Sequence, residues 1–344
     1  AMALIIFATL LSFLIVSTTT AWKCISLQSK TLHEGVIWNT QNCTMDEDAE
    51  PHLTVNSIHV DISRQDLRVI PAIADPVAQV QSIPDMAKQN PNFIAGINGG
   101  YFWRVDIDGF WRDNVCKGKV RKEAEQPASP LHVNFGIGDG VVKIDGTTYS
   151  NNCNCTGYSR PAVLQLEGVN SNIEVLYRGD KVAPHVKSAI GAGPNLVSYN
   201  STTDESYIDI PDDDDNINRL VYEATTAVGL SRYSIDGSER IKERAAGGGG
   251  MGDTMIFLTT DGSDSCMPKD DYCGLVAPNL ASLMLEVFNC TQAMSMDQGG
   301  STTMWINGEN PDRDGVVSRS DNKKPAEEEG ARPLANGLFI ELLI

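Results

Sequence analysis

The residues best equipped for chemistry in this chain lie in Asp297-Gln298-Gly299-Gly300-Ser301-Thr302-Thr303, which joins one carboxylate to two side-chain-free backbone positions and three consecutive hydroxyls. A carboxylate there could act as nucleophile, base or electrostatic partner to a cationic centre. Paired glycines let backbone N–H groups approach an anionic or oxygen-rich ligand closely, and the hydroxyls of Ser301 to Thr303 add donors beside them. The same heptad also reads as a Gly-containing hairpin loop with a solvated aspartate. Ala293-Met294-Ser295-Met296 before it and Met304-Trp305-Ile306 after it both have strand character, and Asn307-Gly308 marks a further turn. A glycine-rich stretch by itself does not separate the two readings.

Five further stretches narrow the choice. They are Asn98-Gly99-Gly100-Tyr101-Phe102, then Ala189 to Val197 with Gly191-Ala192-Gly193-Pro194-Asn195 inside it, then Thr226-Ala227-Val228-Gly229, Thr260-Asp261-Gly262, and Ala331-Arg332-Pro333-Leu334-Ala335-Asn336. In this order and spacing they resemble the phosphodiester glycosidase family, over about Leu32 to Ile344. The resemblance implies hydrolysis of sugar-1-phosphodiesters or related saccharides, a carbohydrate partner, no cofactor and no metal. Cleavage at the anomeric carbon expels a phosphate monoester, a weakly basic leaving group, so general-acid help matters less than for an ordinary glycoside. By resemblance Asp297 is the carboxylate at the anomeric centre, Arg332 neutralises the phosphate and Asn98 binds sugar hydroxyls. Gly99, Tyr101, Gly299, Gly300, Ser301 and Thr302 are then the substrate contacts.

The chain departs from the family pattern at three places. Thr225 stands where members carry arginine before Thr-Ala-Val-Gly, Ser263 stands where a long polar side chain follows Asp-Gly, and Gln298 replaces a third glycine. Each charge-assisted hydrogen bond lost from a phosphodiester site removes about 1.5 to 3 kcal/mol. A second reading follows, in which the chain is a catalytically degenerate structural subunit of an extracellular filament, assembled through its apolar N-terminal segment.

The elements that must position these residues are mostly strands. Ile58, Val60 and Ile62 alternate with polar neighbours. Val133, Phe135 and Ile137 face Val141, Val142 and Ile144 across Gly138-Asp139-Gly140, which predicts a hairpin. Short strand patterns recur at Ala162 to Leu166, Ile173 to Tyr177, Thr254 to Leu258 and Leu338 to Ile344. Two segments read as helical: Pro84 to Gln89 behind Ser82, and Pro278 to Phe288, where Leu280, Leu283, Met284 and Val287 share one face. Strands that outnumber helices without regular alternation predict an α+β fold, a single strand-rich domain with mixed sheets and few helices.

The division of the chain is then residues 1–22 as an apolar segment and 23–344 as the domain. Ala1 to Trp22 contains no charged residue and no histidine. It reads as a secretory signal, as a segment donated to a neighbouring copy, or as a membrane anchor, although about 15 strongly apolar residues fall short of the roughly 20 that a spanning helix needs. The formal charge of −18 and pI near 4.6 argue against nucleic acid as a partner. Eight cysteines, an even number, read as disulfides of an exported protein, with Cys266 and Cys273 close enough in sequence to pair locally. Cys153-Asn154-Cys155 lacks the histidine or second cysteine pair that a zinc site needs. Sequons at Asn42, Asn154, Asn200 and Asn289 fit N-glycosylation in a secretory pathway.

Overall fold

The structure, a computed structural model, describes residues 22–45, 53–75, 80–103, 137–138, 140–150, 162–176, 181–210, 223–233, 253–261, 274–320 and 331–343. Its centre is an eight-stranded sheet whose order is Lys23–His33, Val36–Thr44, Leu53–Asp61, Thr254–Thr260, Thr225–Ser231, Cys290–Ser295, Asn195–Asn200 and Glu205–Ile208. All pairings between these strands are antiparallel. The inner strands carry apolar side chains on both faces, so both faces must be covered. Ile58, Val60, Val228, Leu230, Met255 and Phe257 point to one side, and Val55, Ala227, Ile256 and Leu258 to the other.

Two smaller sheets cover the first side. One has the order Met304–Ile306, Phe93–Asn98, Asn336–Leu342 and Leu67–Ile73. The other has the order Asn172–Val175, Ala162–Leu166, Ser188–Ala192, Val142–Ile144 and Thr147–Ser150. Ile97, Leu338, Ile340, Leu164 and Ile190 from these sheets join the central cluster. The second side is covered by the helix Ala277–Ser282, which runs on as a π-helical turn over Leu283–Val287. Leu280, Leu283 and Met284 of the expected face are buried against the sheet, while Val287 at its far end is only partly covered. The wider turn is visible in the bond from the Phe288 N–H to the Leu283 carbonyl at 3.3 Å. The short helix Ile83–Ala87 begins as its sequence requires, with the Ser82 hydroxyl accepting from the Asp85 N–H at 3.2 Å, and it packs on the outer face of the four-stranded sheet.

Two local expectations change. Of the hairpin expected across Gly138-Asp139-Gly140, Val133, Phe135 and Asp139 lie outside the described residues, and Ile137–Gly138 and Val142–Ile144 do not pair with each other. Ile137–Gly138 pairs with Phe102–Trp103, whereas Val142–Ile144 pairs with Thr147–Ser150 and Ser188–Ala192. The pairing with Thr147–Ser150 on one side and the distant Ser188–Ala192 on the other places Val142 in a buried sheet. The heptad after Cys290–Ser295 is likewise no hairpin turn. It leaves the eight-stranded sheet, makes one 3-10 turn at Gly299–Ser301 and enters the four-stranded sheet as Met304–Ile306.

Cys24 and Cys43 face each other on neighbouring strands and are bonded, tying the edge strand to the sheet. Cys290 is a buried free thiol, so the cysteines do not all form disulfides. The expected Cys266–Cys273 bridge, the Cys153-Asn154-Cys155 stretch, the sequon at Asn154 and residues 1–21 with their proposed donation lie outside the described residues. Trp22, just after that segment, packs toward the helix side and donates its indole N–H to the Ser282 hydroxyl at 3.0 Å.

Candidate active site

Three strands bring the chemically equipped residues to one end of the stacked sheets. Phe93–Asn98 delivers Asn98-Gly99-Gly100, Cys290–Ser295 runs into Asp297, and Arg332 lies just before Asn336–Leu342. The Asp297 N–H donates to the Gly99 carbonyl at 3.0 Å, so residues 198 apart in sequence are backbone neighbours. Met296 is tied to the Thr226 carbonyl at 2.8 Å and Gly299 to the Ala224 carbonyl at 2.8 Å, which anchors the turn to the start of the Thr225–Ser231 strand.

Asn98 organises this junction. It is fully buried, and its Oδ1 accepts from the Thr226 hydroxyl at 2.7 Å and from the Thr303 N–H at 3.0 Å. Its Nδ2 donates to the Asp297 carbonyl at 2.7 Å and to the Gly99 carbonyl at 3.4 Å. Two acceptor and two donor capacities are thereby filled, and none is left for a sugar hydroxyl. These bonds tie Asn98 to the turn and the neighbouring strand. Gly99 is tied in the same way. Its N–H donates to the Asn336 carbonyl at 3.0 Å and that of Gly100 to Asn336 Oδ1 at 2.8 Å. A methyl group on Gly99 would lie 1.8 Å from Asn336 Oδ1, and one on Gly100 would lie 2.1 Å from the Gly191 carbonyl. These glycines admit another part of the protein rather than a phosphate. Tyr101 follows in a half-buried position.

Asp297 sits at the start of the turn, enclosed by its neighbours. The dense surroundings push its pKa up to about 6, against the opposing pull of Ser301, the Arg332 charge and the Gln298 N–H, which bonds Oδ1 at 3.0 Å. Ser301 and Thr302 are each 1% exposed, and neither hydroxyl has a well-formed hydrogen bond within the described residues. The Ser301 hydroxyl still lies close enough to Asp297 to draw its pKa down, while the Thr302 hydroxyl is left to be bonded by something else, since a buried unsatisfied donor is costly. Gly299 has φ of +65°, and a methyl group there would sit 2.7 Å from Glu223 Oε2. Glu223 therefore brings a second carboxylate to the turn. Sequence reasoning passed over it, although it stands only three residues before Thr226-Ala227-Val228-Gly229. Gly300 is half-buried at the same turn.

The departures from the family pattern have structural homes. Thr225 pairs its hydroxyl with that of Thr260 at 2.8 Å in a fully buried contact, where an arginine side chain would find no room as the strands stand. Gln298 donates its amide to the Ser295 hydroxyl. Ser263 lies outside the described residues.

A model of the family described as phosphodiester glycosidase matches residues 92–341, a span that contains Asn98, Asp297, Ser301 and Arg332. The chain belongs to the phosphodiester glycosidase family. Among curated protein sequences none matches it. Solved structures share its fold. The catalytic domain of zebrafish N-acetylglucosamine-1-phosphodiester alpha-N-acetylglucosaminidase, auto-inhibited by its pro-peptide, superposes with a TM-score of 0.55 at 16% identity, over 94% of this chain and 89% of that one. A hypothetical protein from Synechocystis gives a TM-score of 0.50 at 12% identity; the match covers 92% of this chain but only 64% of that protein's length. Within the family fold, the Asn98 junction is the scaffold and the Asp297–Thr302 turn with Arg332 is the candidate site.

Proposed function

We propose that this phosphodiester glycosidase domain hydrolyses sugar-1-phosphodiesters at the Asp297 turn. The supporting observation is the set of groups gathered there: a carboxylate with a raised pKa, the buried Ser301 hydroxyl that pulls on it, the buried Thr302 hydroxyl, and a nearby guanidinium. In this reading the ionised Asp297 stabilises the cationic anomeric carbon or activates the water that attacks it. The bond from that carbon to the phosphate oxygen breaks, water supplies the new hydroxyl, and a phosphate monoester leaves. Arg332 stabilises the charge on that phosphate, while Ser301 and Thr302 donate to its oxygens or to the sugar. Asn98 acts through Asp297 by fixing the carbonyl of the same residue. The site works without the arginine that Thr225 replaces, which predicts a substrate whose phosphate is held chiefly by Arg332 and by hydroxyl donors.

An exported location fits the cross-strand disulfide Cys24–Cys43, since such bonds persist in oxidising compartments. Asn200 and Asn289 are exposed and open to glycosylation, and Asn42 is half-buried beside the bonded Cys43. Incubation of the purified chain with an N-acetylglucosamine-1-phosphodiester, with release of free sugar as the readout, tests the reading. Turnover by the parent and its loss in Asp297→Asn support it; no turnover of any sugar-1-phosphodiester offered overturns it.

A further inference from the structure

A separate polar cavity of about 460 Å³ opens between the first three strands of the large sheet and the segment that follows Met304–Ile306. Trp38, Thr40, Asn56, Asp261, Glu309 and Arg319 are among its lining residues, and Asp297, Ser301 and Arg332 are not. Trp38, Thr40 and Asn56 precede residue 92, so this wall lies outside the span that the family model matches. The volume falls within the roughly 300–1,000 Å³ of small-molecule sites.

The lining is polar; its floor at Trp38, Asn56 and Asp261 is buried and incompletely bonded, while Thr40 and Glu309 are half-buried and Arg319 is exposed. Asn56 is 2% exposed; its Oδ1 accepts from the Thr40 hydroxyl at 2.9 Å, while its Nδ2 has no partner within the described residues. Asp261 is 6% exposed and lines the cavity; its Oδ1 accepts from the Arg319 N–H at 2.9 Å, and Oδ2 has no hydrogen bond among the described residues. The Trp38 indole N–H is buried without an acceptor. At the rim the Arg319 guanidinium makes no ion pair within the described residues, whereas Glu309 is already paired with Lys30. Buried polar atoms are normally satisfied, so this density of open donors and acceptors points to a ligand.

We propose that this cavity is a binding site for a neutral hexopyranose, distinct from the Asp297 site. A sugar hydroxyl both donates and accepts, and so can meet the Asp261 oxygen and the Asn56 amide or Arg319 guanidinium together. An anion would meet Asp261 and Glu309, and a cation would meet Arg319, so a neutral polyol fits the alternating donors and acceptors best. The inference does not rest on catalysis at Asp297.

The test is a titration of the full-length, nitrogen-15-labelled protein with N-acetylglucosamine, mannose, glucose and galactose in turn, following the indole N–H resonance of Trp38 as assigned with Trp38→Phe. The resonance should move saturably with at least one sugar. Arg319→Ala, at an exposed position, and Asn56→Ala should each weaken that binding by about tenfold or more. No movement with any of the four sugars overturns the inference, and so does a shift of equal affinity in the parent and in Arg319→Ala. Sugar-1-phosphodiester turnover is read separately. If it is absent while the Trp38 resonance still saturates, the hydrolase reading fails and the binding site stands.

Discussion

Asp297 carries the proposed chemistry because burial and charge act on it in opposite directions. Dehydration raises its pKa to about 6, and Ser301, Arg332 and the Gln298 N–H hold it from rising further. If the ionised form works, kcat/KM toward a sugar-1-phosphodiester should climb about tenfold per pH unit from pH 4 to near 6 and then level off. Asp297→Asn should lower kcat by about 10²- to 10³-fold at pH 7, measured with the fold checked by circular dichroism. Asp261, also raised to about 6 by burial, provides a stability counterpart. The folded chain holds that proton more tightly than the unfolded chain, where aspartate titrates near 3.8. Its contribution is therefore fully present below pH 3.8 and is lost as pH rises through 6. Asp261→Asn should be more stable than the parent at pH 7.5, by on the order of 2 to 3 kcal/mol in urea unfolding, with the difference gone at pH 3.5. His59, buried and lowered to about 4, works in the other sense: its contribution is present above pH 6.5 and is lost as pH falls toward 4.

At the scale of elements, the strands are held at the site end by side chains that the chemistry itself does not need. Asn98 links Phe93–Asn98, Thr225–Ser231 and the Asp297–Thr303 turn through one amide. Asn98→Ala should cost about 3 kcal/mol or more in denaturant unfolding, because the Thr226 hydroxyl and the Thr303 N–H would stay buried without an acceptor. Gly229, the last residue of Thr226-Ala227-Val228-Gly229, has a packing reason. A methyl group there would meet Cys290 Sγ at 2.6 Å and Met284 Cε at 2.7 Å, so the glycine lets the π-helical turn lie close on the sheet. Gly229→Ala should destabilise by about 1 to 3 kcal/mol, read as a lower midpoint in the same titration.

At the scale of the whole molecule, the large sheet is covered by two smaller sheets on one side and a helix on the other, and its first strand is one of its two exposed edges. Only side-chain contacts, main-chain pairing and the Cys24–Cys43 bond hold that edge, and Ile25 and Leu27 on it are exposed at 49% and 58%. The bond closes a loop with a sequence separation of 19. Replacing both cysteines with serine should lower stability by about 3 kcal/mol, measured by thermal unfolding of the two forms, and reductant should destabilise the parent but not the variant. The −18 charge over the chain keeps this surface acidic, in accord with a neutral ligand rather than a polyanion at the Asp261 cavity.

Much of this was legible in the sequence. Period-two alternation at Ile58 and Val60, the short apolar run at Thr254 to Leu258, the Ser82 cap, and the helical spacing of Leu280, Leu283 and Met284 are local signals in agreement with the observed elements. Asp297, Ser301 and Arg332 could be picked out because carboxylate, hydroxyl and guanidinium groups announce their chemistry by type. What each group does with its neighbours could not be read that way. Asn98 and Gly99 look like ligand-binding residues, and only the fold shows Thr226, Thr303 and Asn336 occupying their hydrogen bonds. Ile137 looks like half of a hairpin until Phe102–Trp103 takes it. Glu223, Asp261 and Asn56 gain meaning only from partners tens to hundreds of residues away. Residue type and short-range period are properties of the chain, whereas hydrogen-bond satisfaction and cavity lining depend on which distant segments the packed sheets bring together.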